Sequence, residues 1–170
     1  MLTIDIIIGN LCSPLAMITD AISSTRKTAK GVLIAQSLSQ VIYCVGTIVL
    51  KGYSAAVQNG VSILRNIAAI KRVESKLVEW GLVIIAVALG LACNNRGLVG
   101  ILPVVANVQY TLAVFRFKDN EWALKCSFLV CMLMFVVFNF AIYNILGAIT
   151  NLVVAVTTLI VLIRDRKPAA

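Results

Sequence analysis

Gln58, Asn59, Ser62, Arg65 and Asn66 crowd into one otherwise apolar stretch, GYSAAVQNGVSILRNIAAI, at positions 52–70. A carboxamide donates and accepts hydrogen bonds at once, and a guanidinium only donates and stays charged, so this set could hold a neutral hydroxyl-, amide- or heterocycle-bearing solute, or an anion. At roughly 1.5 Å of rise per residue the stretch is long enough to cross a hydrocarbon core of about 30 Å as a helix. Helical geometry puts Asn59, Ser62 and Asn66 on one face, with Gln58, Ser62 and Arg65 on the strip beside it. Lipid does not tolerate that strip, so it is either a polar seam between helices or a solute site. A second stripe, Gln36, Gln40, Tyr43 and Thr47, runs along positions 31–49 at helical spacing. Further polar candidates are Asn107, Gln109 and Tyr110, and then Asn144, Thr150, Asn151, Thr157 and Thr158.

The elements carrying these residues are membrane helices. The 170-residue chain is 61% hydrophobic and 13% charged, with a mean hydropathy of +0.99, which excludes an ordinary soluble domain. The pattern predicts an all-α, polytopic membrane protein with seven transmembrane helices at about 3–19, 31–49, 52–70, 78–93, 98–114, 122–138 and 142–163. Pro14 and Pro103 fall inside the first and fifth spans, where a missing backbone bond bends a helix and could supply a hinge or gate. Asp20–Lys30 is expected to be a loop, and Lys125 is placed to snorkel towards the headgroups. The fourth span is almost without internal polar residues and reads as a connector. No charged leader with a small-residue cleavage site is visible, so the N-terminus is expected to be retained.

Charge sets the orientation. With the N-terminus outside, the inward segments hold Arg26, Lys27, Lys30, Lys71, Arg72, Lys76, Arg116, Lys118, Lys125, Arg164, Arg166 and Lys167, and the outward turns hold only Lys51 and Arg96. Only short inter-helix segments carry the excess of +8, so it speaks for positive-inside topology and against a nucleic-acid partner. A repeat is also visible. A shift of 92 lays Val45 on Val137, Ala56 on Ala148, Asn59 on Asn151 and Arg72 on Arg164, and a slightly different shift lays Pro14 on Pro103. A parallel 3+1+3 plan follows: a first three-helix bundle at 1–72, a connector helix at 73–97 and a second bundle at 98–170. In that plan the third helices face each other and bring Asn59 and Asn151 to one axial cavity.

The run LPVVANVQYTLAVFRFKDNEWALKC, the Phe138-Asn139-Phe140 turn and GYSAAVQNGVSILRNI resemble the YgjV family of bacterial inner membrane proteins over most of the chain. The 3+1+3 plan, its first-helix prolines and its paired asparagines are more distantly similar to the SWEET, PQ-loop and PnuC-type transporters. That resemblance implies a facilitator for sugars or nucleoside-like vitamins, with Asn59 and Asn151 at the binding site. The sequence departs from the sugar facilitators in carrying Arg65 and in keeping Trp80 and Trp122 at span edges, which leaves Tyr43, Tyr53, Tyr110 and Tyr143 as the aromatic candidates.

Together these readings predict a small-solute transporter or facilitator with alternating access. Its expected substrate-binding residues are Gln40, Gln58, Asn59, Ser62, Arg65, Asn107, Tyr110 and Asn151. Arg65 would favour an anion if it faces the cavity, but could equally snorkel or pair with Asp5 or Asp20. The alternative is a structural or regulatory membrane protein whose polar stripes only pack helices. An enzyme is not expected: the chain has no histidine, and its five cysteines lack metal spacing and nearby bases. No cofactor or metal is expected, no GxxxxGK[ST] loop is present for ATP, and a homodimer through an apolar face is compatible with so small a bundle. A reporter fused after Ala170 should report from the cytoplasm; an extracytoplasmic signal overturns the orientation.

Overall fold

The computed structural model describes residues 4–49, 53–73, 75–94, 97–117, 119–141 and 145–166. Lys51, Gly52, Arg96, Lys118, Tyr143, Asn144 and Lys167 lie outside the described residues, as do the side chains of Asp5, Asn10 and Arg166.

Long apolar runs in which hydrophobic side chains recur every three or four residues give seven α-helices among the described residues: α1 (Ile4–Thr25), α2 (Ala29–Val49), α3 (Tyr53–Ile70), α4 (Lys76–Ala92), α5 (Leu102–Arg116), α6 (Glu121–Ala141) and α7 (Ile145–Arg166). A short 3-10 segment, Gly97–Ile101, leads into α5. Among the described residues, four helical spans are long and apolar enough to cross a membrane: Ala29–Val49, Gly97–Arg116, Glu121–Phe140 and Ile145–Asp165. The helix α3 stops in a Schellman turn, with Val73 N–H on Ala68 O and Arg72 N–H on Ala69 O, and Arg72 takes the left-handed φ of 53°.

Each helix turns its polar stripe inward and its apolar stripe outward. Leu11, Leu15, Ile18 and Ile22 on α1, and Ile34, Leu38, Val41, Val45 and Ile48 on α2, are all exposed. Asp20, Ser24, Gln36, Ser39, Arg65, Asn66, Thr111, Lys125 and Thr158 are all buried. A water-soluble core has the reverse distribution; only a lipid solvent makes this one favourable.

The helices pack in a ring that follows chain order. α1 contacts α2, α2 contacts α3, α3 contacts α5, and α5, α6 and α7 follow until α7 returns to α1. α2 also touches α6 across the ring, whereas α4 lies outside it against α3 and α5. The apolar core gathers around Leu33, Tyr110, Val114, Leu124, Phe128, Met132 and Val154, with a smaller cluster of Val61, Leu82 and Ala86 under α4.

Three local expectations are corrected. Residues 20–25 are not loop: α1 runs on to Thr25, because the outward series Leu11, Leu15, Ile18 and Ile22 continues past Asp20, which is fully buried. Pro103 does not interrupt a helix; it sits at the start of α5, where its missing N–H would be unpaired in any case. Lys125 does not snorkel: its side chain is 2% exposed and pairs with Glu121 at 2.5 Å and Asp165 at 3.2 Å. Pro14, by contrast, does lie within α1.

Gly90 explains how α4 approaches the ring. A Cβ there would collide with Gln58 Nε2 and come within 2.7 Å of Val104 Cγ2, whereas one at Gly81 meets nothing within 4 Å. Gly90→Ala should therefore destabilise the protein by about 1–3 kcal/mol through overpacking. Gly81→Ala should be neutral or stabilising by up to about 1 kcal/mol from helix propensity. Thermal unfolding of the two variants in detergent checks the contrast, and equal behaviour refutes this account of the α3–α4–α5 junction.

Candidate functional site

A cavity of about 130 Å³ occupies the ring. Its walls come from Cys12 and Ser13 on α1, Gln40, Tyr43, Gly46 and Thr47 on α2, and Ala55, Gln58, Asn59, Ser62 and Arg65 on α3. Asn107 and Tyr110 on α5, six residues of α6 and three of α7, among them Asn151, complete it. Because successive helices alternate in direction, the start of α1, end of α2, start of α3, end of α6 and start of α7 meet at one end of the bundle. The cavity lies in that half. The other half is filled by a packed layer in which Asp20, Ser24, Gln36, Asn66, Thr111 and Thr158 are buried.

Arg65 lies between the two halves, 2% exposed. Its Nε donates to Asn66 Oδ1 at 3.0 Å, and its Nη1 donates to Asn107 Oδ1 at 2.8 Å and to Thr111 Oγ1 at 3.4 Å. The guanidinium carbon stands 4.6 Å from the centre of the Tyr110 ring, a cation–π contact that strengthens when the pair is shielded from water. Tyr110 is itself fixed by its hydroxyl, which donates to Gln36 Oε1 at 2.6 Å, and by the tilted Phe128 ring at 5.7 Å. No carboxylate pairs with Arg65 among the described residues. Asp20 instead accepts a short hydrogen bond from Ser39, and its second oxygen has no hydrogen-bond partner.

The polar residues divide into two groups. Gln58, Ser62 and Asn107 are spent on one another and on backbone. Asn107 Nδ2 donates to Gln58 Oε1 at 2.5 Å, Ser62 Oγ donates to Asn107 Oδ1 at 2.9 Å, and Gln58 Nε2 donates to Ala86 O at 2.8 Å. This relay ties α4, α3 and α5 together and holds the carboxamide oxygen of Asn107 towards Arg65. Gln40, Asn59 and Asn151 line the cavity and make no side-chain hydrogen bond among the described residues, nor does Arg65 Nη2.

Every sequence-predicted binding residue lines this one cavity: Gln40, Gln58, Asn59, Ser62, Arg65, Asn107, Tyr110 and Asn151. Asn59 and Asn151 reach it from α3 and α7, which lie on opposite sides of the ring rather than in contact. Pro14 adjoins the lining residues Cys12 and Ser13, and Pro103 is buried at the start of α5, away from the lining. Sequence reasoning missed the aromatic wall of Phe128, Phe135 and Phe138, which periodicity cannot tell from core. It also missed Ser39 beside Asp20, although Ser39 follows Gln36 at helical spacing on the same inward stripe. Cys12, Cys44, Cys93 and Cys131 form no disulfide, and no cluster of metal-ligating side chains occurs among the described residues.

An all-helical membrane bundle with a polar chamber at its centre is the class that fold and site define. The sequence model of one family, described as bacterial inner membrane protein (Imp-YgjV), matches residues 7–168, and the chain belongs to that family. It is a multi-pass protein of the bacterial inner membrane. No curated protein and no solved structure matches the chain.

Removing a relay residue and removing a free one should differ. Asn107→Leu leaves Arg65 Nη1, Ser62 and Gln58 short of partners and should cost about 3 kcal/mol. That corresponds to a Tm lower by about 6–12 °C. Asn59→Ala and Asn151→Ala break no hydrogen bond and should leave Tm within about 2 °C. Thermal unfolding of the three variants is the check; a large loss from either asparagine variant would mean that it carries structure.

Proposed function

We propose that this protein is a small-solute transporter or facilitator of the inner membrane, working by alternating access around the cavity between α3 and α7. The observation that carries this reading is the set of carboxamides from three helices, Gln40, Asn59 and Asn151, that line the cavity without a hydrogen-bond partner. Polar side chains that only pack membrane helices find partners in their neighbours, since an unsatisfied carboxamide costs about 1–3 kcal/mol. Groups left free around a chamber are available to a solute.

In this reading all seven helices span the bilayer in a 3+1+3 parallel repeat, with the N-terminus outside and the C-terminus cytoplasmic. The ring order and the position of α4 outside it support such a plan. The chamber then belongs to the outer half, and the packed layer around Asp20, Ser24, Asn66 and Thr158 is the closed inner gate. That layer is buried and polar, and Ser24 and Thr158 meet there at 2.6 Å. Pro14 beside the chamber supplies a bend point in α1. Arg65 is the only charged residue of the lining among the described residues, so facilitated diffusion needs fewer parts than ion-coupled uptake. A structural role is the second reading, favoured by the Gln58–Asn107–Ser62 relay, whose members are mutually satisfied.

Osmotic swelling of proteoliposomes separates the two. With a panel of small polar and acidic solutes, at least one should enter tenfold or more faster than in protein-free vesicles, a difference of about 1.4 kcal/mol in barrier. The Asn59→Ala/Asn151→Ala double variant should return that rate to baseline. Folded wild-type protein that moves no solute, or a double variant as fast as wild type, refutes transport through this cavity.

A further inference from the structure

We infer that the cavity is a site for a small carboxylate monoanion, with Arg65 as its anchor; the inference rests on the cavity being a solute site. Arg65 is the only charged residue of the lining among the described residues, and no carboxylate pairs with it. Its Nε and Nη1 are spent on Asn66, Asn107 and Thr111, which fix the plane of the guanidinium, and one face lies on Tyr110. Nη2 remains with both N–H groups uncommitted on a side chain that is 2% exposed. The two N–H groups of one nitrogen diverge, so Nη2 in that state is a fixed donor to one anionic oxygen, the second oxygen being left to a neighbouring carboxamide, and the single positive charge calls for a single negative one.

Size and lining narrow the class. A cavity near 150 Å³ takes a benzene-sized body, so about 130 Å³ encloses roughly six heavy atoms, and its partly open mouth lets a slightly longer molecule protrude. That is too small for a nucleoside. Phe128, Met132, Phe135 and Phe138 give one wall of the cavity an apolar surface, which suits a short hydrocarbon or aromatic body and not a bare inorganic anion. The free carboxamides of Gln40, Asn59 and Asn151 can take the remaining polar atoms of such an acid. Asp20 does not compete for Arg65, because its bond is to Ser39 on α2.

The test compares benzoate with benzamide, which has the same shape and no charge, and with inorganic phosphate, by equilibrium binding to purified full-length protein in detergent. Benzoate should bind with one site per chain and at least tenfold more tightly than benzamide or phosphate. Arg65→Gln should abolish the preference for benzoate over benzamide, and Arg65→Lys should keep it at reduced affinity, since charge survives and the fixed fork does not. Arg65→Lys and the benzoate–benzamide pair on wild type suffice if Arg65→Gln does not fold. Equal binding of benzoate and benzamide, tighter binding of phosphate, no binding of any probe, or an Arg65→Gln variant that keeps the preference overturns the proposal. Detergent binding is independent of movement. Benzoate that binds while no solute crosses in the swelling test removes transport and leaves the anion site, and asparagine-dependent swelling without benzoate binding does the opposite.

Discussion

A permanently charged guanidinium held in the centre of a membrane bundle, with no carboxylate paired to it among the described residues, is the constraint around which the other polar residues are placed. Removing such a charge from water costs several kcal/mol even after relaxation. Hydrogen bonds from a charged donor return about 1.5–3 kcal/mol each, and a shielded aromatic face returns about 2. Asn66, Asn107, Thr111 and the ring of Tyr110 together therefore come close to offsetting Arg65, and neither asparagine could be apolar without removing an acceptor from it. Asn107 accepts from Arg65 and Ser62 only because its amide nitrogen is occupied by Gln58, which is in turn anchored on Ala86 O in α4. The outlying helix thus contributes to the site through one backbone carbonyl, and the close approach that makes this possible needs Gly90.

Much of this was legible in the sequence, and the reason is the solvent. In lipid every helix must hide its polar stripe, so spacing alone assigns Gln36, Gln40, Tyr43 and Thr47 to one inward face and puts Asn59, Ser62 and Asn66 on another. Asn59 and Asn151, which the shift of 92 lays on one another, line the same cavity. Less legible was whether a polar residue is used or free. Gln58 and Asn59 are adjacent and chemically alike, yet one is bonded into the relay and the other faces open space. That difference depends on Asn107 and Ala86, which are distant in sequence, and no local pattern encodes it.

The misread positions share a cause. Charge alone puts Asp20 and Lys125 at the membrane edge, whereas helical periodicity carries both inward. The exposed series on α1 passes straight through Asp20, and Lys125 has Glu121 one helical turn before it. In both cases the helix phase was the stronger signal, because a buried charge with partners is tolerable and a break in the lipid-facing stripe is not. Pro103 differs for another reason: it lies inside the fifth apolar span, but a proline at a helix start and one in a helix interior look alike in sequence, and the preceding 3-10 segment puts this one at the start of α5.

The two places where the ends of the ring's helix groups meet are built differently. Between α3 and α5, Gln58, Ser62 and Arg65 are stitched to Asn107 and Thr111 by several side-chain bonds, with α4 laid across the outside. Between α1 and α7, the described side chains contribute the Ser24–Thr158 hydroxyl pair. The α1–α7 side is held mainly by close helix packing, which is more extensive there than between α3 and α5, and the α3–α5 side mainly by directional side-chain bonds. Arg65 belongs to the bonded side, so the orientation of its guanidinium is set by Asn66, Asn107 and Thr111 and makes no use of the seam between α1 and α7.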